Sequence, residues 1–369
     1  MNQHPLPPAG TNAAMSWLSR FVTGVVLPLL DSAVEASGKP FRQPEMMRPN
    51  TGSKRYGMTH FGVFLPGLPA PHKYCNIMTM LGTPGAVMFD NDYLIRGHPR
   101  DTATFLSSTA ADSAHHYRAY SIARECQTRE DGSLVAFGDD LEISGVYPRY
   151  QVRVAYGDFR LDITVECTDT VSWFVRNAVY DHLSLLARCS GEITHAGKTT
   201  PIDSLCTFEY ARSASPHVLI DRVLPERWKL PADFFTYQII NLDESTQLLL
   251  TDVRALGKTG FKGVHVRALK GDAEVYVRDV IFQVTEYQDD LAIAPDGRTM
   301  RLPKTFSWSV REGGEPVLDI RCTIDSPWRF GHGRGYVACY RFEGQFRQRA
   351  HAGAGYIEYI DCETVSRSE

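Results

Sequence analysis

From about Tyr56 onward the chain alternates between apolar and polar positions with a period of two, the signature of half-buried β-strands. The clearest case is Val152-Arg-Val-Ala-Tyr156, then Gly157-Asp158, then Phe159-Arg-Leu-Asp-Ile-Thr-Val165. Phe159, Leu161, Ile163 and Val165 share one face, while Arg160, Asp162 and Thr164 share the other. A Gly-Asp pair between two such runs predicts a two-residue hairpin turn. Gly271-Asp272 stands in the same way between Val264–Leu269 and Ala273–Val284, and Gly313-Gly314 between Thr305–Arg311 and Pro316–Ile324. Successive hairpins make an antiparallel meander, and a chain with many strands and few helices must close or stack them to hide its edges. Residues 96–116 read instead as an ordered loop or short helix.

Helical periodicity is confined to the amino terminus. Trp17, Leu18, Phe21, Val22, Val25, Val26, Leu29, Leu30, Ala33 and Val34 form one face of an amphipathic helix over 17–34, interrupted at Pro28. The apolar run from Phe21 to Leu30 is too short to span a bilayer, and Asp31 and Glu35 fall where a signal-peptide cleavage site needs small residues. The helix is expected to pack on the body of the protein; its alternative use is as a docking face for a membrane surface or a partner.

A length of 369 residues suits two domains, and the prolines of Asp221-Arg-Val-Leu-Pro225-Glu-Arg-Trp-Lys-Leu-Pro231 interrupt the alternation between them. The expected architecture is mainly β: a helical extension over 1–45 and two tandem antiparallel β-barrels over 46–225 and 226–369. One pattern recurs in both halves. Ser190-Gly191-Glu-Ile193, His195-Ala196-Gly197 and Phe208-Glu209-Tyr210 match Glu343-Gly344-Gln-Phe346, His351-Ala352-Gly353 and Ile357-Glu358-Tyr359, with spacings that differ by several residues.

Composition narrows the function classes. With 43% hydrophobic and 22% charged residues the chain is globular, and a net charge of −4 with scattered Lys and Arg leaves no footprint for nucleic acid. Eight cysteines without a Cys-x-x-Cys pair read as buried free thiols of a cytoplasmic protein. There is no Walker A loop, His-Glu-x-x-His, Gly-x-Ser-x-Gly or kinase signature, and no nucleotide or metal cofactor is implied. Gly331-His332-Gly333-Arg334-Gly335 reads as a flexible turn, since Tyr336-Val-Ala-Cys-Tyr340 continues as a strand and not as a phosphate-binding helix.

Candidate chemistry lies in acids set among apolar residues. Glu209 in Cys206-Thr-Phe-Glu-Tyr210 projects on the opposite face from Phe208 and Tyr210, Tyr356 and Glu358 share a face, and Glu343 follows Tyr340-Arg341-Phe342. A carboxyl in an apolar cavity has its pKa raised and becomes a usable general acid; its alternative is to face solvent or pair with a nearby Arg. In Tyr180-Asp181-His182 the imidazole is a candidate base or a structural histidine. Asp181 diverges from His182 along a strand, so Glu209 on a neighbouring strand is its better partner.

Tyr340-Arg-Phe-Glu-Gly344 and Gly353-Ala-Gly-Tyr-Ile-Glu-Tyr359, with the two-barrel organisation, resemble the lipocalin-like superfamily of carotenoid 1,2-hydratases and fungal Diels–Alderases over roughly residues 170–365. The hydratase motif pairs His-x-Trp with a downstream Tyr-x-Asp. His182-Leu-Ser184 and Thr207-Phe-Glu209 occupy comparable places, with Ser184 for the Trp and Thr207 for the Tyr. The resemblance implies lipocalin-like barrels and acid-assisted hydration, dehydration, isomerisation or cyclisation of a hydrophobic, terpenoid- or polyketide-like molecule. Glu209 would be the acid and His182 would hold or deprotonate water, with Glu358 and Glu343 as further catalytic candidates. Trp173, Tyr180, Trp308, Tyr336 and Tyr356 would line the substrate, with the faces of Trp173, Trp308 or Tyr336 stabilising developing positive charge. A non-catalytic carrier of a hydrophobic ligand and a partner-binding protein are the rival readings.

Overall fold

The computed structural model describes residues 31–271 and 273–363. The predicted helix over 17–34 lies outside them except for its end; the described helical turn there is α1 (Ala33–Ala36), which packs beside Trp173.

Two large antiparallel sheets follow in sequence. The first contains β1 (Met58–Pro66), β2 (Tyr74–Gly82), β3 (Thr102–Ser108), β4 (His115–Ser121), β5 (Cys126–Thr128), β6 (Leu134–Phe137) and β7 (Leu141–Val146). It continues through β8 (Arg149–Tyr156), β9 (Phe159–Arg176), β10 (Tyr180–His195) and β11 (Lys198–Ser213). The strand order is β4-β3-β2-β1-β11-β10-β9-β8-β7-β6-β5. Its two edge strands, β4 and β5, are joined by nothing more than the helical turn α2 (Ile122–Glu125), so the sheet must curl until its ends meet.

The second sheet repeats this plan. It contains β12 (Ala232–Asn241), β13 (Thr246–Ala255), β14 (Lys258–Ala268), β15 (Glu274–Tyr276) and β16 (Val280–Tyr287). A separate small pair, β17 (Ala292–Ile293) and β18 (Thr299–Met300), precedes β19 (Pro303–Glu312), β20 (Glu315–Ile324), β21 (Arg329–Phe330), β22 (Tyr336–Phe346) and β23 (Arg349–Asp361). The order is β15-β14-β13-β12-β23-β22-β20-β19-β16, again with its edge strands adjacent along the chain.

The hairpins at Gly157-Asp158 and Gly313-Gly314 form as the alternation predicts, with Tyr156 opposite Phe159 and Glu312 opposite Glu315. At the third site, where Asp272 lies outside the described residues, the expected second arm divides: β15 pairs with β14, but β16 turns away to β19. Residues 96–116 differ more. They contain β3, buried at every position, so no alternation marks it as a strand.

Each barrel interior is filled by side chains. Tyr150 stacks on Phe208 at 4.1 Å in the first, and Trp308 lies 4.9 Å from Phe282 in the second. Phe159, Leu161, Ile163 and Val165 belong to the first core. β1, β2 and nearly all of β12 are buried on both faces, because their outer faces press against the other barrel. Met58, Phe64, Met78 and Met80 thus pack with residues of the second half. All eight cysteines are unpaired and six are buried.

The repeat is a structural equivalence at two of its three elements. Gly191 on β10 and Gly344 on β22 both take positive φ, and a Cβ on either would lie 2.1 Å from the carbonyl oxygen of Asp162 or Asp319. Glu209 stands opposite Ser184, seven residues before Gly191, just as Glu358 stands opposite Val337, seven residues before Gly344. His-Ala-Gly does not correspond. Ala196-Gly197 forms the β10–β11 turn, whereas His351-Ala352-Gly353 lies within β23 and the matching turn is Arg347-Gln348.

Candidate active site

Period-two geometry sends Phe208 and Tyr210 into the first barrel and Glu209 out of it, toward the second. The equivalent geometry sends Tyr356 and Glu358 out of the second barrel toward the first. The two carboxyl groups therefore meet in a cavity of about 20 Å³ between the barrels. Apolar walls come from Met58, Met80, Phe89 and Phe235, and polar groups from His60, Tyr180, His182 and His332. That volume is the size of a single water.

Glu209 is surrounded by imidazoles. His182 Nε2 lies 3.5 Å and His60 Nε2 3.9 Å from its Oε2. The Tyr180 hydroxyl is 2.9 Å from His182 Nδ1. A proton on His182 Nε2 faces the carboxylate favourably, which leaves Nδ1 to accept from Tyr180; tyrosine, histidine and glutamate then form one donor chain. His60 is fixed from behind, its Nδ1 donating to the Thr79 carbonyl at 2.7 Å. Asp181 takes no part and pairs with Arg212 at 2.9 Å.

Glu358 has different company. Tyr356 donates to its Oε1 at 3.2 Å, and His332 Nε2 lies 3.9 Å from its Oε2. The contrast follows from the repeat. His60 sits opposite Ala211, two residues beyond Glu209; the residue opposite Ile360, two beyond Glu358, is Phe235. An imidazole in one half is a phenyl ring in the other.

These surroundings drive the two acids apart. Burial pushes Glu209 up, but hydrogen bonding and charge from His182 and His60 pull it down further, to about 2. Burial pushes Glu358 well above the usual carboxylate range and the neighbouring charge of Glu209 adds to this, with the Tyr356 hydroxyl only partly opposing. Burial also lowers His182, against Glu209, and lowers His332 strongly, with His60 and His182 adding. The two carboxyls are thus pushed in opposite directions, which corrects the expectation that Glu209 is the acid and gives that role to Glu358.

Other sequence candidates lie elsewhere. Glu343 is exposed on β22, opposite Arg321 and Ala352, because the period-two face it shares points to solvent. Trp308 is sealed in the second barrel interior. A bulge in β9 leaves Trp173 on the first barrel's side, beside a cleft of about 290 Å³ formed with Ser32, Lys39 and Arg176. The same bulge turns Phe174 toward the second barrel, 4.8 Å from the His182 ring. Tyr336 lines a separate cleft of about 380 Å³ with Arg298, Met300 and Arg334.

His60 and His332 are the residues that alternation does not find. His60 lies in a strand buried on both faces, where its polarity among Met58, Phe61 and Val63 is the available signal. The glycine-rich turn around His332 is tightly packed, which corrects its reading as flexible. A Cβ on Gly331 would lie 2.7 Å from Leu106, and one on Gly333 2.5 Å from the Phe89 backbone. His332 packs edge-on to Phe89 at 4.8 Å. Beside it Asp90, 2% exposed, receives Lys229 at 2.6 Å, Arg298 at 3.0 Å and Arg334 at 3.1 Å, tying the Phe89 loop to the second half.

Comparison with known proteins places this geometry in context. A family model described as a family of unknown function, DUF6670, matches residues 78–369. Curated proteins gave no match. Among solved structures, a protein described as an AttH from Nitrosomonas europaea aligns at 14% identity and a TM-score of 0.57, over 88% of this chain and 97% of its own. Kievitone hydratase from Nectria haematococca aligns at 11% identity and a TM-score of 0.53, over 91% of this chain and 98% of its own. The fold is therefore the tandem lipocalin-like arrangement that the resemblance implied.

Proposed function

The chain belongs to DUF6670, a family of unknown function, and from its site we propose that it is a lyase- or isomerase-type enzyme acting on a hydrophobic small molecule. One observation carries this reading: two buried carboxyl groups line one cavity in unlike company, imidazoles around Glu209 and a phenol beside Glu358, which pushes their proton affinities in opposite directions. A carboxyl that keeps its proton as donor beside an ionised one as acceptor is the division of roles used in acid–base catalysis.

Hydration or dehydration is the reaction it suits best. In the hydration direction Glu358 gives its proton to an alkene carbon, water adds to the other carbon, and Glu209 takes the proton that water loses. In reverse, Glu209 removes the proton from carbon and Glu358 protonates the departing hydroxyl. His182 and Tyr180 orient Glu209 and lead outward from it, Tyr180 being partly exposed. Met58, Met80, Phe89 and Phe235 suit a terpenoid- or polyketide-like substrate. Such a molecule needs several hundred Å³, so it must displace side chains that line the cavity as it enters. That a structure of the same fold is a kievitone hydratase agrees with this class of chemistry.

A carrier needs only an apolar lining, and burying a charged carboxylate in it would be a cost. The filled barrel interiors and the convergent acids both favour the enzyme. The test is to incubate the protein with a panel of prenylated phenols and terpenoid alkenes in H₂¹⁸O and to follow addition of labelled water by mass spectrometry. Glu209→Gln and Glu358→Gln are each expected to slow turnover by about 100-fold or more. Turnover at the parent rate in both variants would sink the assignment, and binding without turnover, unchanged in both, would establish the carrier.

A further inference from the structure

Arg267 on β14 has no solvent exposure, and among the described residues no carboxylate lies within ion-pair distance of it. Its guanidinium is committed to neutral acceptors. Nε and Nη2 donate to Gln247 Oε1 at 3.1 and 2.6 Å, and Nη1 donates to the Ser184 carbonyl and hydroxyl at 3.1 and 3.0 Å. Arg267 belongs to the second barrel and Ser184 to the first, so this cation crosses between them. Ser184 is the direct cross-strand partner of Glu209 on β11, and such partners project to the same side of a sheet about 5 Å apart. An unpaired guanidinium buried in a protein is costly unless a carboxylate nearby balances it.

We propose that Arg267 is a positioning residue of the inter-barrel site: fixed on Ser184, it supplies the buried positive charge against which Glu209 works as a carboxylate. The inference rests on the acid–base reading of that site. It adds a role for the serine that stands where the resembled motif has tryptophan: Ser184 seats a cation beside the base. The other titratable groups facing Glu209 are His60 from β1, His182 and Tyr180 from β10, Tyr237 from β12, His332 from its loop, and Tyr356 and Glu358 from β23. None of these is a permanent cation. Arg267 keeps its charge throughout the working pH range.

The experiment follows Glu209 without a substrate. Protein labelled with ¹³C at the glutamate side-chain carboxyl is titrated by NMR, and the Glu209 signal is assigned by its loss in Glu209→Gln. In Arg267→Met the Glu209 titration is expected to move up by roughly one pH unit or more, and in Arg267→Lys to return most of the way. An unmoved titration in both would overturn the proposal. If Arg267→Met does not fold, Arg267→Gln, which removes the charge but keeps an amide donor, takes its place in the titration, and an unmoved Glu209 signal there overturns the proposal in the same way. Turnover reports separately. Glu209→Gln retaining full turnover refutes the catalytic reading whatever the titration shows, and a lost Glu209→Gln turnover with an unmoved titration refutes the role of Arg267 alone.

Discussion

Replacing Glu358 by glutamine should make the protein progressively more stable than its parent as pH rises. Glu358 is 3% exposed and its carboxyl is pushed well above the ordinary value of 4.5, first by burial and then by the charge of Glu209. In the unfolded chain it ionises near that ordinary value, so above it the unfolded state has given up a proton that the folded state still holds. The native state then binds one proton more than the unfolded state, and stability falls with pH by about 1.4 kcal/mol per unit for as long as Glu358 stays protonated. Glutamine keeps the shape and hydrogen-bonding capacity but carries no proton to lose. From about pH 5 upward the stability difference between Glu358→Gln and the parent should therefore grow by about 1.4 kcal/mol per pH unit, until Glu358 ionises in the folded protein. Glu209, shifted down to about 2, has lost its proton in both folded and unfolded states over this range and adds no slope. The buried histidines add the same slope to both proteins. Urea denaturation at a series of pH values reads the difference directly. Parallel curves for the two proteins would refute the claim that Glu358 is a neutral acid in the native state.

Three further outcomes follow from the same geometry. Gly191→Ala and Gly344→Ala, each forcing a Cβ to 2.1 Å from a backbone oxygen, should cost about 3 kcal/mol apiece in chemical denaturation, and equally, because the positions are equivalent. Asp90→Ala removes the shared partner of Lys229, Arg298 and Arg334 and should cost about 3–5 kcal/mol, a loss that 1 M salt does not mask because the side chain is buried; a salt-sensitive loss would contradict it. Tyr180→Phe should shift the ¹⁵N signal of His182 Nδ1 toward that of an unbonded acceptor, and an unchanged signal would show that the tyrosine does not set the tautomer.

Much of the β architecture was written in the local pattern, and so was part of the site. Half-buried strands such as β8 and β9 announce themselves by alternation, and glycine-bearing turns mark their ends. Where the barrels meet, the pattern vanishes. β1, β2 and β3 are buried on both faces, so His60 carries no periodic label and residues 102–108 do not read as a strand. The faces of Glu209, Tyr356 and Glu358 follow from a period of two. Which outer face meets the other barrel does not, since that is a property of tertiary packing, and Glu343 falls on the wrong side for this reason, while Trp308 points into a barrel interior that side chains fill. The bulge that separates Trp173 from Phe174 is one residue of irregular register, invisible in composition. His332 is hidden differently: glycines that suggest mobility are there so that backbone can touch Leu106 and Phe89.

The exchange of His60 in one half for Phe235 in the other has a consequence for how such a site can arise. Two identical subunits related by a twofold axis would give both glutamates the same neighbours, and groups with the same neighbours have the same intrinsic affinity for protons. Neither could be designated donor or acceptor by its surroundings. A single chain that carries both barrels is free of that symmetry, since a substitution in one half leaves the other as it was. Division of labour between two copies of one residue becomes available once the copies can diverge, and joining them in one chain lets them do so while staying paired.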